Sequence, residues 1–293
     1  MDELTALDGV PLTHRRVKLS EVELHVVEAG EGEKLVVLLH GFPEFWFTWR
    51  AQIPALARAG YRVVAPDMRG YNTSDKPKGV ASYDVVNLSR DVAELIQAMG
   101  AERADVVGHD WGGAVAWMFA MFHGDRLRRL VIMNAPHPAQ FQKALRRDLG
   151  QLRRSWYMFF FQVPAIPERL IRMGDFTALR NAYRGLLERK RLSEEDLGRY
   201  KAALAQPGAL TSMLNYYRAA MRRLLKTNPP FQPITAPVQV IWGQRDHFIK
   251  PELADAKSKW CEDVRVHRVA DANHFVQEDA PDEVNAKLLE FLG

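Results

Sequence analysis

Between residues 15 and 28 apolar and polar positions alternate, with Val22, Leu24 and Val26 on one side, the two-residue period of a half-buried strand. Two strands, 15–19 and 21–28, joined by a tight turn are expected, and Ala29-Gly30-Glu31-Gly32 breaks the second. The pattern then becomes one of unbroken apolar runs: Leu35-Val36-Val37-Leu38-Leu39, then 61–66, 104–107 and 130–133. Each has the length of a strand buried on both faces of a sheet. Between them the spacing is helical, over 49–59, over 83–99 (Val86, Leu88, Val92, Leu95, Ile96) and over 114–122. Apolar strands alternating with helices predict an α/β fold with a mostly parallel sheet and helices on both of its faces.

After Asn134 the rhythm changes. Residues 140–230 contain no strand-like apolar run but have amphipathic helical stretches such as 180–188 and 210–225, closed by Pro229-Pro230, Pro233 and Pro237. Strand rhythm returns at Val238-Gln239-Val240-Ile241-Trp242 and at 264–269, and a last helix is expected over 281–292. The organisation expected is a core in two parts, 1–135 and 232–293, with a helical cap, 136–231, inserted between them.

Composition narrows the class. A chain of 293 residues with 47% hydrophobic and 26% charged residues is an ordinary globular protein large enough for a sizeable core. The net charge of +4 points to no nucleic-acid partner. Its distribution is uneven, with 18 Lys/Arg against 7 Asp/Glu in residues 140–230. This excess reads as a solvated surface, with an anionic partner as the alternative. A single cysteine, Cys261, rules out an internal disulfide and fits a reducing compartment, so a cytoplasmic location is expected. Met1-Asp2-Glu3 begins no apolar h-region, and no run is long enough to span a bilayer, so neither a secretory signal nor a membrane anchor is expected. There is no metal-ligand spacing, and neither a metal nor an organic cofactor is expected.

The candidate chemistry centres on Gly108-His109-Asp110-Trp111-Gly112-Gly113, placed between an apolar strand and a helix. A strand turning sharply into a helix through flanking glycines is the nucleophile elbow of α/β-hydrolases, which throws its apical side chain out over the sheet. The usual apex is Ser; here it is Asp110. A carboxylate needs no base to become a nucleophile, and its attack on a saturated carbon leaves an ester that water can cleave. Asp110 therefore points to displacement at an sp3 carbon rather than acyl transfer. An ordinary turn with Asp as a helix N-cap is the plain alternative. Asp246 follows the strand ending at Trp242, and His274 lies in the loop after 264–269. The order nucleophile, acid, histidine is that of α/β-hydrolases. In His40-Gly41-Phe42-Pro43 the backbone N–H of Phe42 is expected to form an oxyanion hole with that of Trp111, and Pro43 is a candidate for a cis bond.

These motifs, with Asp67-Met68-Arg69-Gly70-Tyr71 and Trp242-Gly243-Gln244-Arg245-Asp246, resemble the soluble epoxide hydrolases of the α/β-hydrolase superfamily over nearly the whole chain. They also resemble haloalkane dehalogenases, which share the Asp nucleophile. The resemblance implies two cap tyrosines that donate hydrogen bonds to the epoxide oxygen. Asn215-Tyr216-Tyr217-Arg218 resembles the family's Asn-aromatic-Tyr-Arg segment and places one role on Tyr217, with Tyr216 standing where Trp is common. Tyr157, followed by Phe160-Phe161-Gln162 and Pro164, resembles the other. Dehalogenases of this kind often have Asn after His-Gly, where this chain has Phe42. Fluoroacetate dehalogenases place Arg beside the nucleophile, where this chain has Trp111 and Ala114. The expected activity is conversion of an epoxide and water to a vicinal diol through an ester on Asp110, cleaved by water that His274 and Asp246 activate. Haloalkane dehalogenation and a silent ligand-binding module are the alternatives. The expected partners are an apolar epoxide and water, in a pocket lined by Trp46, Phe159, Phe248, Ile249 and Phe275.

Overall fold

The computed structural model describes residues 4–224, 231–256 and 260–293. Eight strands form one sheet: β1 (Thr13–Lys18), β2 (Glu23–Ala29), β3 (Lys34–Leu39), β4 (Tyr61–Pro66), β5 (Ala104–His109), β6 (Leu127–Met133), β7 (Val238–Gly243) and β8 (Val264–Val269). Their spatial order is β1-β2-β4-β3-β5-β6-β7-β8. β2 pairs antiparallel with both β1 and β4; the other neighbours are parallel. The unbroken apolar runs occupy the middle, and every residue of β5 and of β7 is buried. The alternating strand 13–18 lies at the edge and meets solvent, whereas 23–29, one strand in, is largely buried. A short antiparallel pair, Ala6–Leu7 with Val10–Pro11, precedes them.

Crossover handedness assigns the helices. The step from β3 to β4 runs one way along the sheet, and the steps from β4 to β5 and on to β6 run the other. Right-handed crossovers therefore put α1 (Gln52–Arg58) on one face and α2 (Val85–Ala98) and α3 (Trp111–Phe122) on the opposite face. The packing agrees: α2 contacts α3, whereas α1 contacts the last helix, α11 (Pro281–Leu292). α3, apolar all round, is buried along nearly its whole length, as such a helix must be. The helix expected over 49–59 is shorter, because residues 46–49 form a tight 3-10 turn before α1. The one expected over 83–99 begins at Val85, where Asp84 accepts a hydrogen bond from the Val86 amide as N-cap.

Between β6 and β7 the described residues form six helices: α4 (Pro138–Arg147), α5 (Leu149–Arg154), α6 (Trp156–Phe160), α7 (Ile166–Glu188), α8 (Glu194–Ala205) and α9 (Ala209–Leu224). α7 is interrupted at residues 173–176, where Gly174, Asp175 and Phe176 adopt positive φ. The expected helices 180–188 and 210–225 fall on α7 and α9; Leu225 and Pro229-Pro230 lie outside the described residues. α10 (Val276–Asp279) precedes α11. The strand order reverses between β3 and β5, so the carboxyl ends of these two neighbours flank a switch point, where α/β sheets keep their sites.

Candidate active site

The turn from β5 into α3 is steric in origin. Asp110 adopts φ 48°, ψ −114°, a conformation unusual for an L-residue. Its neighbours must be glycine: a Cβ on Gly112 would lie 2.1 Å from the Leu39 carbonyl oxygen, and one on Gly108 would lie 2.4 Å from the Gly112 oxygen. The close approach of α3 to β3 presses the Asp110 carboxylate against the loop after β3. There the Phe42 amide donates to Asp110 Oδ1 at 2.8 Å, and the Phe42–Pro43 bond is cis. The Trp111 amide opens α3, among the N–H groups that a helix leaves without an internal partner.

His274 reaches Asp110 from the loop after β8. Its Nε2 is 3.4 Å from Asp110 Oδ2 and its Nδ1 is 2.7 Å from Asp246 Oδ2. Burial opposes charge on His274, but the Asp246 and Asp110 carboxylates outweigh it and raise the imidazole to about 10. Burial likewise opposes charge on Asp110; its contact with His274 and the Phe42 amide hold its carboxyl below the ordinary value. Asp246 is lowered in the same way, against burial, by His274 and by hydrogen bonds. Its Oδ1 accepts from the Phe248 and Ile249 amides at 2.7 and 2.9 Å, and its Oδ2 accepts from Asn134 Nδ2 at 2.7 Å.

Two insert tyrosines face this centre. Tyr157 on α6 and Tyr217 on α9 have ring centroids 5.8 Å apart, edge to face, and both line the space beside Asp110. Burial and the Asp110 charge push both phenols above their ordinary value, so both remain donors at neutral pH. Among the described residues neither hydroxyl donates to a protein acceptor. Tyr216, one position and about 100° round the helix from Tyr217, instead donates to the Arg69 carbonyl at 2.7 Å and is fully buried.

The family described as alpha/beta hydrolase fold matches residues 34–281. The AB hydrolase superfamily protein YfhM of Bacillus subtilis is 43% identical, over 98% of this chain and 99% of that protein. Epoxide hydrolase 2 of Caenorhabditis elegans is 35% identical, over 95% of this chain and 79% of that protein. The chain belongs to the epoxide hydrolases of the α/β-hydrolase superfamily. The epoxide hydrolase of Bacillus megaterium, in a crystal structure with an inhibitor, superimposes with a TM-score of 0.88 at 32% identity, covering 95% of this chain and 99% of that one.

In this member of the epoxide hydrolases, two apolar cavities meet at Asp110, Tyr157 and Tyr217. One, of about 290 Å³, adds Phe42, Phe161, Phe248, His274 and Phe275. The other, of about 190 Å³, adds Trp111, Met118, Phe141, Leu145 and Ile249. Phe248, Ile249 and Phe275 thus line the space, as their positions in the sequence suggest. Trp46 and Phe159 do not. Trp46 is buried in the 3-10 turn below, its amide on Asp67 Oδ1 at 2.9 Å and its ring against His14. Phe159 is 46% exposed, because the helical turn that aims Tyr157 inward directs the side chain two positions on outward.

Several supporting residues escape sequence reasoning. Asn134, at the end of β6 with φ 43°, holds Asp246 and also accepts from the Gly243 amide at 2.9 Å, tying β6 to β7 beneath the acid. The fully buried His109 lies 2.8 Å from the His274 carbonyl oxygen through Nε2 and 2.8 Å from Glu44 Oε2 through Nδ1. Arg154 on α5 donates to the Asp246 carbonyl at 2.7 Å, so the insert also braces the acid's loop. Asn134 at a strand's carboxyl end, and His109 and Glu44 inside their motifs, were the available signals. Among the described residues no three His, Cys, Asp or Glu side chains converge as a metal site.

Proposed function

We propose that this protein hydrolyses an apolar epoxide to a vicinal diol through an ester on Asp110. The observation that carries the reading is that Asp110 shares its two cavities with Tyr157 and Tyr217 while His274, held by Asp246, stands 3.4 Å from its Oδ2. Asp110 Oδ2 attacks an epoxide carbon, the C–O bond breaks, and Tyr157 and Tyr217 give the leaving oxygen its hydrogen bonds and a proton. Esterification removes one of the two negative charges that keep His274 protonated. The imidazolium then releases its proton, which restores the phenol.

Neutral His274, held by Asp246, takes a proton from water, and the hydroxide attacks the Asp110 carboxyl carbon. Asp110 Oδ1 becomes the oxyanion, against the Phe42 amide that already holds it, with the Trp111 amide as the second donor of this proposal. Collapse of this intermediate releases the diol, which takes the acid proton and leaves Asp110 ionised and His274 protonated. Both cavities are apolar, which favours apolar or aromatic epoxides with substituents on either side of the ring. In this reading residues 136–231 act as the cap that supplies the phenols. The tyrosine pair favours this reaction over halide displacement, since a departing alkoxide needs a proton and a halide does not. The enzyme would work in the cytoplasm, in keeping with Cys261, which is buried and free. The test is consumption of styrene oxide set beside a 1-haloalkane. Diol formation without halide release supports the reading, and halide release without diol contradicts it.

A further inference from the structure

Among the described residues, seven of the nine exposed large apolar side chains fall in one short stretch, from Leu149 to Met173. Leu149 is 73% exposed, Trp156 63% and Met173 61%. Ile166, Leu170 and Met173 stand at i, i+4 and i+7, on one face of the first two turns of α7, with Met173 the residue at which its interruption begins. The same stretch and the end of α4 expose Lys143, Arg147, Arg153, Arg169 and Arg172, none of which pairs with a carboxylate among the described residues. The two acidic residues within 143–172 are already engaged, Asp148 with Lys250 at 2.8 Å and Glu168 with Arg218 at 2.9 Å. This surface therefore combines unneutralised cations with exposed Trp, Phe, Leu and Met.

We propose that this face of the insert docks on an anionic lipid bilayer, and that the apolar substrate enters the Asp110 cavity from the membrane. Basic residues interleaved with an aromatic and apolar surface are what the headgroup region of such a bilayer binds. A solvated face needs the arginines but not the apolar side chains. A two-fold contact between copies of this chain would set arginine against arginine. No described helix is long and apolar enough to cross a membrane, so the docking is peripheral.

The position of the patch gives it a purpose. Trp156 and Leu170 are both exposed and both line the 290 Å³ cavity, so the mouth of that cavity opens within the patch. α6 presents Trp156 and Phe159 outward and Tyr157 inward, which makes the docking surface and one phenol two sides of a single helix. Docking would carry an apolar molecule from lipid to Asp110 with little passage through water. The entry route rests on the proposed activity; the docking itself does not.

The test is sedimentation of the purified full chain with vesicles of phosphatidylglycerol and phosphatidylcholine, and with vesicles of phosphatidylcholine alone. The wild type is expected to bind the anionic vesicles preferentially and to be released by salt. The double variant Arg169→Glu/Arg172→Glu should lower the partition coefficient at least about 30-fold, each basic residue near such a surface being worth about fivefold. Phe159→Ser/Met173→Ser should lower it as well. All variants should hydrolyse a water-dissolved epoxide at the wild-type rate, which shows that they fold. Absence of wild-type binding to anionic vesicles, or variants that bind as the wild type does, would overturn the proposal. So would light scattering that shows a dimer dissolved by Phe159→Ser/Met173→Ser, because the patch would then join two copies. Vesicle binding by a protein that opens no epoxide would leave the docking standing and remove the proposed activity instead.

Discussion

The imidazole of His274 and the carboxylate of Asp110 face each other across 3.4 Å, and each favours the charged form of the other. In the proposed mechanism Asp110 is thus ionised before substrate arrives, and His274 is protonated until Asp110 has been esterified. In that mechanism, forming the ester is what makes His274 available. A water molecule in the resting site meets an imidazolium, which cannot activate it.

This pairing gives stability a definite dependence on pH. The His274 imidazole is raised from 6.5 to about 10, so its contribution is fully present below about pH 6.5 and is lost as pH rises through 10. His274→Gln has no such group. Between pH 6.5 and 10 the wild type should lose stability relative to this variant, on the order of a few kcal/mol. Urea denaturation of both proteins at intervals across that window measures it. Parallel curves would mean that His274 is neutral in the resting protein.

The tyrosines separate by function. Tyr157→Phe and Tyr217→Phe should each slow ester formation in single-turnover kinetics, and the double variant should be far slower, because the departing oxygen is then left without a donor. Tyr216→Phe should leave turnover close to wild type. It should cost about 1–3 kcal/mol of stability, since the buried Arg69 carbonyl loses its partner. A Tyr216→Phe enzyme with the kinetic defect and normal stability would reverse the assignment.

Asn134 should matter to the second step alone. Asn134→Ala removes the 2.7 Å hydrogen bond to Asp246 and places Ala at φ 43°. Hydrogen bonds to charged groups are worth about 1.5–3 kcal/mol, so ester hydrolysis should slow about tenfold or more while ester formation is kept. The signature is an ester that accumulates on Asp110 during turnover, seen by mass spectrometry of quenched enzyme. Equal slowing of both steps would show a general disturbance of the site.

How much of this was legible in the sequence depended on whether the cause was local. The elbow was legible because its glycines flank Asp110 in the sequence itself, Gly108 for a contact within the turn and Gly112 for the approach to Leu39, and the strands because burial on both faces requires unbroken apolar runs. Asp246 and His274 stood at strand ends in chain order. Trp46 and Phe159 were misplaced because an aromatic residue near a motif does not reveal which way its turn of helix points. Asn134 and the Glu44–His109 contact were missed for another reason: their partners lie on segments distant in the chain, and only the folded sheet brings the ends of β6 and β7 together. Phe159, read as pocket, and Arg153, Arg169 and Arg172, read as solvated surface, are all exposed in one short stretch of the insert.

The covalent role of Asp110 is tested most directly by a single turnover in oxygen-18 water with enzyme in excess over a styrene oxide substrate. Water attacks the carboxyl carbon in this account, so the label should appear in the Asp110 carboxylate, located by mass spectrometry of the peptide that contains it. The diol should carry an unlabelled oxygen that came from Asp110. A labelled diol with an unlabelled Asp110 would mean that water opens the epoxide directly, and the ester mechanism would be wrong.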